Sequence, residues 1–300
     1  LIFEFMQVLQ GSLVALITPM LKNGDIDYVA LERLIDWHID MGTNGIVSVG
    51  TTGESATLDF EEHFNVISHT INYVKKRVPV IAGTGANSTK EAIYLTAKAK
   101  DAGADYALLV TPYYNKPNQN GLIKHYTELA NEVDIPQILY NVPSRTACDL
   151  LPESVKLLSK HQNIIGIKEA VDDQQRIEEL LEIARDRKDF YIYSGDDPTF
   201  CKSLKMGIDG VISVAANVIP NLITAICKYS LNNDFEKAQQ IDADCKNLYK
   251  LLFIESNPIP VKWMLYRMKK VHDAIRSPLI TLDETFHDEV LSELQRLKLL

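Results

Sequence analysis

Cysteine is scarce and unpaired in this sequence of 300 residues. Its four cysteines, Cys148, Cys201, Cys227 and Cys245, are widely spaced and form no CxxC motif. This pattern argues against a disulfide framework and a structural zinc site, and it fits a reducing compartment such as the cytosol. The seven histidines are scattered and form no HExxH motif, so the sequence offers no ligand set for a metal-dependent enzyme.

Positive charge is also in short supply, with 31 Lys and Arg against 40 Asp and Glu and a net charge of −9. Such a balance disfavours a nucleic-acid or anionic-membrane surface, because phosphates need basic partners. No stretch reaches the roughly 20 apolar residues of a membrane span. Residues 1–10 are apolar, but they include Glu4 and lack a basic region, so we interpret them as an N-terminal extension rather than a signal peptide. We therefore expect a cytoplasmic protein.

Eight short β-rich runs alternate with amphipathic helical patterns. The runs are LVALIT (13–18), GIVSVG (45–50), VPVIAG (78–83), YALLVT (106–111), PQILYN (136–141), IIGIK (164–168), FYIYSG (190–195) and GVISV (210–214). Eight βα units predict an α/β protein with a (β/α)8 TIM barrel. The rival, a doubly wound sheet, usually has fewer strands and a glycine-rich first turn.

After Val214 the strand signals stop and only helical patterns follow. We expect a catalytic barrel over residues 11–230, a C-terminal helical domain over 231–300, and the extension over 1–10. Three helix starts are also predicted: a capping box from Ser88 to Glu91, an N-cap at Asp197 before Pro198, and an N1 proline at Pro152.

Lys168 ends the sixth run, after Ile164, Ile165 and Ile167. A continuous apolar run predicts a strand covered on both faces, so this lysine projects from dry surroundings. Such surroundings disfavour the ammonium form and favour an amine that attacks carbonyl carbon. The alternative is a lysine that reaches water or pairs with Glu169.

Other polar residues follow the ends of neighbouring strands, where barrel enzymes carry their active sites. Tyr140 precedes Lys168 by one strand and is suited to move protons if Thr51, with Tyr113 or Tyr114, supplies a hydrogen-bond chain. Gly50, Gly53 and Thr52 can approach a carboxylate, and Arg145 offers a planar fork for a second one. Each also has a plainer interpretation. Tyr140 could be a core tyrosine, the segment from Gly50 to Gly53 a tight turn, and Arg145 a member of a surface ion pair.

Seven motifs together carry a family resemblance. They are VGTTGES (49–55), VIAGTGAN (80–87), VTPYYN (110–115), ILYNVPSRT (138–146), NIIGIKEA (163–170), SGDD (194–197) and NPIPVKW (257–263). From about Gly11 to Leu300 the sequence resembles the 4-hydroxy-tetrahydrodipicolinate synthase (dihydrodipicolinate synthase) family of pyruvate-dependent class I aldolases.

This resemblance implies that Lys168 forms a Schiff base with pyruvate, without a metal or organic cofactor. It also implies that L-aspartate 4-semialdehyde is the second substrate and that the product begins the diaminopimelate route to lysine. The site roles it implies are a proton relay of Tyr140, Thr51 and Tyr114, a pyruvate carboxylate site at Thr52, a semialdehyde carboxylate site at Arg145, and a pocket wall at Gly195 and Ile212.

The resemblance further implies a homotetramer built as a dimer of dimers, with Tyr114 reaching the active site of a partner subunit. Feedback inhibition by L-lysine is a related hypothesis. The residues that match the lysine site of sensitive members are Ser55, Ala56, His63, Asn87, Glu91 and Tyr113, whereas Phe60 stands where a histidine is often found.

Three alternatives remain open at this point. N-acetylneuraminate lyase and 2-keto-3-deoxy sugar acid aldolases are similar in their lysine, tyrosine and GxTGE turn, and Arg145 argues against both because a sugar substrate needs no guanidinium there. A non-catalytic barrel that senses lysine or keto acids would not need the lysine, tyrosine and threonines. A metal-dependent aldolase lacks its ligands.

Overall fold

The computed structural model describes residues 9–300, which are built around a closed parallel barrel of eight strands. The strands are β1 (Gly11–Ala15), β2 (Gly45–Ser48), β3 (Val80–Gly83), β4 (Tyr106–Val110), β5 (Gln137–Asn141), β6 (Ile164–Glu169), β7 (Tyr191–Ser194) and β8 (Gly210–Ser213). The barrel closes because β1 pairs with both β2 and β8. The predicted TIM barrel is confirmed; residues 1–8 of the predicted extension lie outside the described residues.

The strands are apolar on both faces because each face is buried. In β6, Ile165 joins the cluster inside the barrel, whereas Ile164 and Ile167 join the larger cluster between barrel and helices. This double burial explains why the sequence shows continuous apolar runs instead of alternation.

The first strand differs from the predicted run, since β1 ends at Ala15. Leu16 and Ile17 are buried but belong to the loop that follows. The Ile17 N–H donates to the side chain of Asn217 at 3.1 Å, and the amide of Asn217 donates to the Ala15 carbonyl at 2.8 Å. The side chain of Asn217 therefore takes the place of a neighbouring strand as hydrogen-bond partner at this point.

Helices surround the barrel and continue beyond it. Those that follow the strands are α1 (Tyr28–Asp40), α2 (Phe60–Val74), α3 (Thr89–Asp101), α4 (Gln119–Glu132), α5 (Pro143–Thr146), α6 (Pro152–Leu158), α7 (Gln174–Asp186), α8 (Phe200–Met206) and α9 (Pro220–Leu231). Three more follow: α10 (Phe235–Leu251), α11 (Ile259–Arg267) and α12 (His287–Arg296). Within residues 9–300 no strand follows Ser213, and no helix has the length and apolar character needed to cross a membrane.

Two of the three predicted helix starts need correction: α3 begins after Ser88 as predicted but without the capping box, and the N-cap predicted at Asp197 is wrong. Pro152 does open α6, but the side chain of Ser88 makes no capping hydrogen bond to α3. A capping box is found instead at α2, where Asp59 and Glu62 bond each other's backbone N–H at 2.8 and 3.2 Å.

Asp197 is the second error, because α8 starts only after Thr199. The carboxylate of Asp197 is buried and points at the end of β8 instead. It accepts hydrogen bonds from the hydroxyl of Ser213 at 2.6 Å and from the N–H groups of Val214 and Ala215 at 3.0 and 2.8 Å. Three donors at the end of the neighbouring strand thus satisfy this carboxylate better than the free N–H groups of a helix start.

The C-terminal helices are fastened to the loops at one mouth of the barrel. Lys262 of α11 forms a buried ion pair with Glu54, which lies in the loop after β2. Its amine also donates to the Thr18 carbonyl, after β1, at 3.1 Å. The connection between α10 and α11 consequently runs along the carboxyl ends of the strands, where the candidate site lies.

Candidate active site

A cavity of about 760 Å³ opens at the carboxyl ends of the strands. Its wall contains six of the predicted site residues, which are Thr51, Thr52, Tyr140, Arg145, Lys168 and Gly195. They come from the ends of β2, β5, β6 and β7 and the loops that follow, so residues up to 144 positions apart in the sequence share one space. This is the face on which TIM barrels carry their active sites.

Lys168 lies deep in this cavity, with only 5% of its surface exposed. It pairs in register with Tyr140 on the neighbouring strand, and its Nζ lies 4.2 Å from the centre of the Tyr140 ring. Burial lowers the pKa of the amine to about 7, with Asp197 opposing the shift and Arg145 adding to it. A substantial fraction of the amine is therefore neutral near pH 7, as a nucleophile requires.

Glu169 does not pair with Lys168, so the ion-pair alternative is wrong. Successive residues of a strand point to opposite faces, and the Glu169 carboxylate accepts from Asn141 at 3.1 Å, from the Val171 N–H at 2.9 Å and from Arg176 at 3.3 Å. Burial raises the pKa of Glu169 to about 7, while Arg176 opposes that rise. Lys168 is left without a carboxylate on its own strand.

Gly195 provides the room that the lysine side chain occupies. A Cβ atom at this position would lie 2.8 Å from Cε of Lys168 and 3.1 Å from Cβ of Ala170. Both distances are shorter than van der Waals contact, so any larger residue here would displace the amine. The prediction that Gly195 lies beside the lysine agrees with this geometry.

Thr51 lies close enough to Tyr140 for its hydroxyl to favour the ionised phenol. Burial raises the pKa of Tyr140 to about 12, and the charge of Arg145 and the hydroxyl of Thr51 oppose that rise. The phenol is thus neutral at physiological pH and lies near a hydroxyl that can pass on or return a proton.

The loop that carries Thr51 and Thr52 is strained at both ends. Val49, just before it, has φ of 56°, and Glu54, just after Gly53, has φ of 58°. A β-branched residue at positive φ is a rare conformation that persists only where the surrounding structure enforces it. Here the buried pair of Glu54 with Lys262 holds one end of the loop.

Thr52 and Arg145 are linked by a residue that the sequence interpretation missed. The Nδ2 of Asn257 donates to the Thr52 hydroxyl at 2.9 Å, and the Asn257 carbonyl accepts from Nη2 of Arg145 at 3.3 Å. Asn257 belongs to a wall segment, residues 253–257, all five of which line the cavity. The NPIPVKW motif is visible in the sequence. Its contact with Thr52 and Arg145, which lie more than 100 residues earlier, is a tertiary feature that the sequence does not reveal.

Two predicted site residues do not line this cavity. Tyr114 is 90% exposed, with φ of 76°. Ile212 is 1% exposed and belongs to the interior cluster of the barrel, whereas Val214 of the same segment lines the cavity. Their predicted roles stay predictions.

A second cavity of about 590 Å³ lies beside the first and shares Thr51, Val142 and Arg145 with it. Of the six residues predicted for a lysine site, it is lined by Ser55, Ala56, His63, Glu91 and Tyr113. Asn87 is not in its wall but donates from Nδ2 to the Tyr113 carbonyl at 3.1 Å. Phe60, the residue that departs from the family pattern, also lines this space.

His63 is neutral in the second cavity because burial lowers the pKa of its ring. Its Nε2–H donates to the Gly83 carbonyl at 2.8 Å, so the ring is fixed in orientation. Glu91 is therefore the group with a formal charge among the predicted lysine-site residues that line this cavity.

Among residues 9–300 no group of three or more His, Cys, Asp or Glu side chains is arranged to hold a metal ion. The predicted site residues that line the first cavity offer an amine, a phenol, two hydroxyls and a guanidinium.

A buried neutral amine facing a phenol, at the carboxyl ends of a (β/α)8 barrel, defines the site as that of a Schiff-base-forming aldolase of class I. The chain belongs to the dihydrodipicolinate synthetase family, whose model matches residues 8–297.

Curated relatives agree over nearly the whole chain. The 4-hydroxy-tetrahydrodipicolinate synthase of Pseudomonas savastanoi pv. phaseolicola is 53% identical over 289 residues, covering 96% of this chain and 98% of that protein. The enzyme of the same name from Pseudomonas aeruginosa is 53% identical over 281 residues, covering 94% of this chain and 96% of that protein.

Solved structures also match over nearly the whole chain. The dihydrodipicolinate synthase from Acinetobacter baumannii complexed with pyruvate has a TM-score of 0.95 and 47% identity, covering 98% of this chain and 100% of that one. The enzyme from Cyanidioschyzon merolae with lysine bound has a TM-score of 0.94 and 33% identity, covering 97% of this chain and 99% of that one.

Proposed function

We propose that this protein condenses pyruvate with L-aspartate 4-semialdehyde, through an imine on Lys168, to give 4-hydroxy-tetrahydrodipicolinate. The observation that carries the proposal is the placement of the Lys168 amine, which is buried in the wall of the cavity and faces the Tyr140 ring at 4.2 Å. Membership of the family and the names of its relatives support the same reaction.

Imine formation follows from the geometry around the amine. The neutral Nζ of Lys168 attacks the keto carbon of pyruvate, and the nitrogen then loses protons while the carbonyl oxygen leaves as water. Tyr140, whose ring centre lies 4.2 Å from Nζ, would act as the acid–base group, and the Thr51 hydroxyl would relay its proton. The hydroxyl of Thr52 and the adjacent loop backbone would hold the pyruvate carboxylate.

Carbon–carbon bond formation follows once the imine loses a methyl proton and becomes an enamine. The enamine carbon attacks the aldehyde carbon of the semialdehyde, whose carboxylate Arg145 would bind as a planar fork. The amino group of the semialdehyde then attacks the imine carbon, which closes the ring and releases Lys168. No step needs a metal or an organic cofactor.

Arg145 provides the test of substrate identity. We predict that Arg145→Ala lowers kcat/KM for the semialdehyde by about 100-fold, because a charge-assisted bond to a carboxylate contributes up to about 3 kcal/mol. Trapping of pyruvate by borohydride should change much less. The measurement is a steady-state assay of both substrates, with the exposed Arg33→Ala as the matched control.

The same assay separates the rival sugar acid aldolases. Wild-type protein should turn over pyruvate with the semialdehyde and leave N-acetylneuraminate and 2-keto-3-deoxy sugar acids uncleaved. Efficient cleavage of either sugar acid, unaffected by Arg145→Ala, would replace the proposed substrate with that one.

Tyr114 and the oligomer belong to the same proposal. Tyr114 would complete the proton relay in a partner subunit, within a homotetramer built as a dimer of dimers. Its 90% exposure on the described chain is consistent with a side chain that finds its contacts elsewhere. Phe60 and Tyr94, exposed by 56% and 52%, form an edge-to-face pair and support a surface that a partner subunit would cover.

L-Lysine would bind in the second cavity as a feedback inhibitor, with Glu91 facing an ammonium group. The support is the shared wall, since Thr51 and Arg145 border both cavities and a ligand in one would bias the other. The relative from Cyanidioschyzon merolae was solved with lysine bound. Ile212 would form part of the pocket wall near the imine. We also propose a cytoplasmic location.

A further inference from the structure

Asn257 joins the residues proposed for the two substrate carboxylates, although it comes from the C-terminal part of the chain. Its side chain is 5% exposed and donates from Nδ2 to Oγ1 of Thr52, and its backbone carbonyl accepts from Arg145. The Thr52 contact spans 205 positions of sequence, and both atoms are buried.

The direction of the contact with Thr52 matters because a hydroxyl has one proton. When Oγ1 accepts from an amide N–H, its own proton remains available to donate to another acceptor. A carboxylate is an acceptor only, so a threonine that binds pyruvate must point its proton into the cavity. The amide of Asn257 enforces that orientation from behind.

Two contacts hold the part of the chain around Asn257 against the loop after β2. Among residues 9–300 its Oδ1 has no hydrogen-bond partner, so the bond to Thr52 is the one that its amide makes. Five residues further, Lys262 pairs with Glu54 in the loop that carries Thr52. The loop after β2 is therefore fixed at two points, to the segment before α11 through Asn257 and to α11 itself through Lys262.

We propose that Asn257 is a positioning residue for substrate binding, which orients the Thr52 hydroxyl toward the pyruvate carboxylate and holds the Arg145 guanidinium through its backbone carbonyl. This inference rests on the proposed function. It makes the C-terminal helices part of the specificity of the site rather than only a support for the barrel.

The test is Asn257→Asp, which preserves shape and reverses the hydrogen bond. The new carboxylate accepts from Thr52, turns its proton away from the cavity and adds negative charge near a bound carboxylate. We expect KM for pyruvate, and the pyruvate concentration for half-maximal borohydride trapping, to rise at least about tenfold. Asn247→Asp, an exposed position on α10 that donates to Glu293 at 2.9 Å, should leave both values within about twofold.

A double-mutant cycle with Thr52→Val separates positioning from general support. Once the Thr52 hydroxyl is gone, Asn257→Asp should raise KM for pyruvate much less than it does in the wild-type background. Asn257→Ala, which removes the amide without adding charge, serves if the aspartate variant does not fold, and it should show the same dependence on Thr52.

Equal effects in both backgrounds, or an unchanged KM for pyruvate in a folded Asn257 variant, would overturn the inference while leaving the proposed function intact. Failure of the proposed function would show itself differently, because wild-type protein would then form no trapped adduct with pyruvate.

Discussion

At the scale of single residues, the site depends on one lysine whose surroundings favour the uncharged amine. Burial lowers the pKa of Lys168 to about 7, against an ordinary value of 10.5. Below pH 7 the unfolded chain carries a charge here that the folded chain holds only at a cost, so the buried lysine destabilises the fold. That cost is fully present below about pH 7 and disappears as the pH rises toward 10.5.

We predict from this that Lys168→Met stabilises the protein while abolishing activity. Each unit of difference between the folded and unfolded pKa corresponds to roughly 1.4 kcal/mol of stability. The gain in unfolding free energy at pH 6 should therefore be about 2–4 kcal/mol. Denaturant unfolding at pH 6 and pH 10 measures it, and the gain should shrink at the higher pH. Lys202→Met, at an exposed position of α8, is the control. A variant no more stable than the control at pH 6 would contradict the lowered pKa.

At the scale of elements, the loop after β2 and helix α11 act as one unit. The pair of Glu54 and Lys262 is buried, with side-chain exposures of 2% and 4%, and Glu54 also accepts from the Arg276 N–H at 3.1 Å. Burial lowers the pKa of Lys262, while the charge of Glu54 opposes that change. Removing one partner of such a pair leaves the other without its counter-charge.

Glu54→Gln should accordingly cost about 3 kcal/mol of unfolding free energy. The double variant Glu54→Gln with Lys262→Met should recover part of that loss, because no charge is left buried. The exposed pair of Lys124 and Glu128 is the matched comparison, and Glu128→Gln should cost under about 0.5 kcal/mol. Similar losses for Glu54→Gln and Glu128→Gln would mean that the buried pair does not hold the loop.

How far the sequence predicts these elements depends on the range of the interactions involved. All eight strands were predictable because burial on both faces leaves continuous apolar runs such as Ile164 to Ile167. The capping box at Ser88 and the N-cap at Asp197 were wrong because a capping residue can find better partners elsewhere, as Asp197 does across β8. Asn257 was missed because its partners are set by the path of the C-terminal helices.

At the scale of the whole molecule, two adjacent cavities offer a route for regulation. They share Thr51, Val142 and Arg145, so we expect a ligand that shifts these residues in one cavity to alter binding in the other. Such coupling is reciprocal, and an inhibitor that weakens substrate binding must itself bind less tightly when substrate is present.

We predict that L-lysine inhibits the protein and that Glu91→Gln raises the half-inhibitory concentration at least about tenfold, because a charge-assisted contact is lost. Glu132→Gln, at an exposed position of α4, should leave the inhibition unchanged. Activity that stays constant as L-lysine is added would remove the proposed regulation without touching the proposed catalysis.

The most direct test of the central claim concerns the covalent step at Lys168. Wild-type protein is incubated with pyruvate, reduced with borohydride and digested, and the peptide that carries the added mass is sequenced. A single adduct on Lys168, absent from a folded Lys168→Ala variant, is the predicted result. An adduct on another lysine, or equal trapping in the variant, would contradict the account.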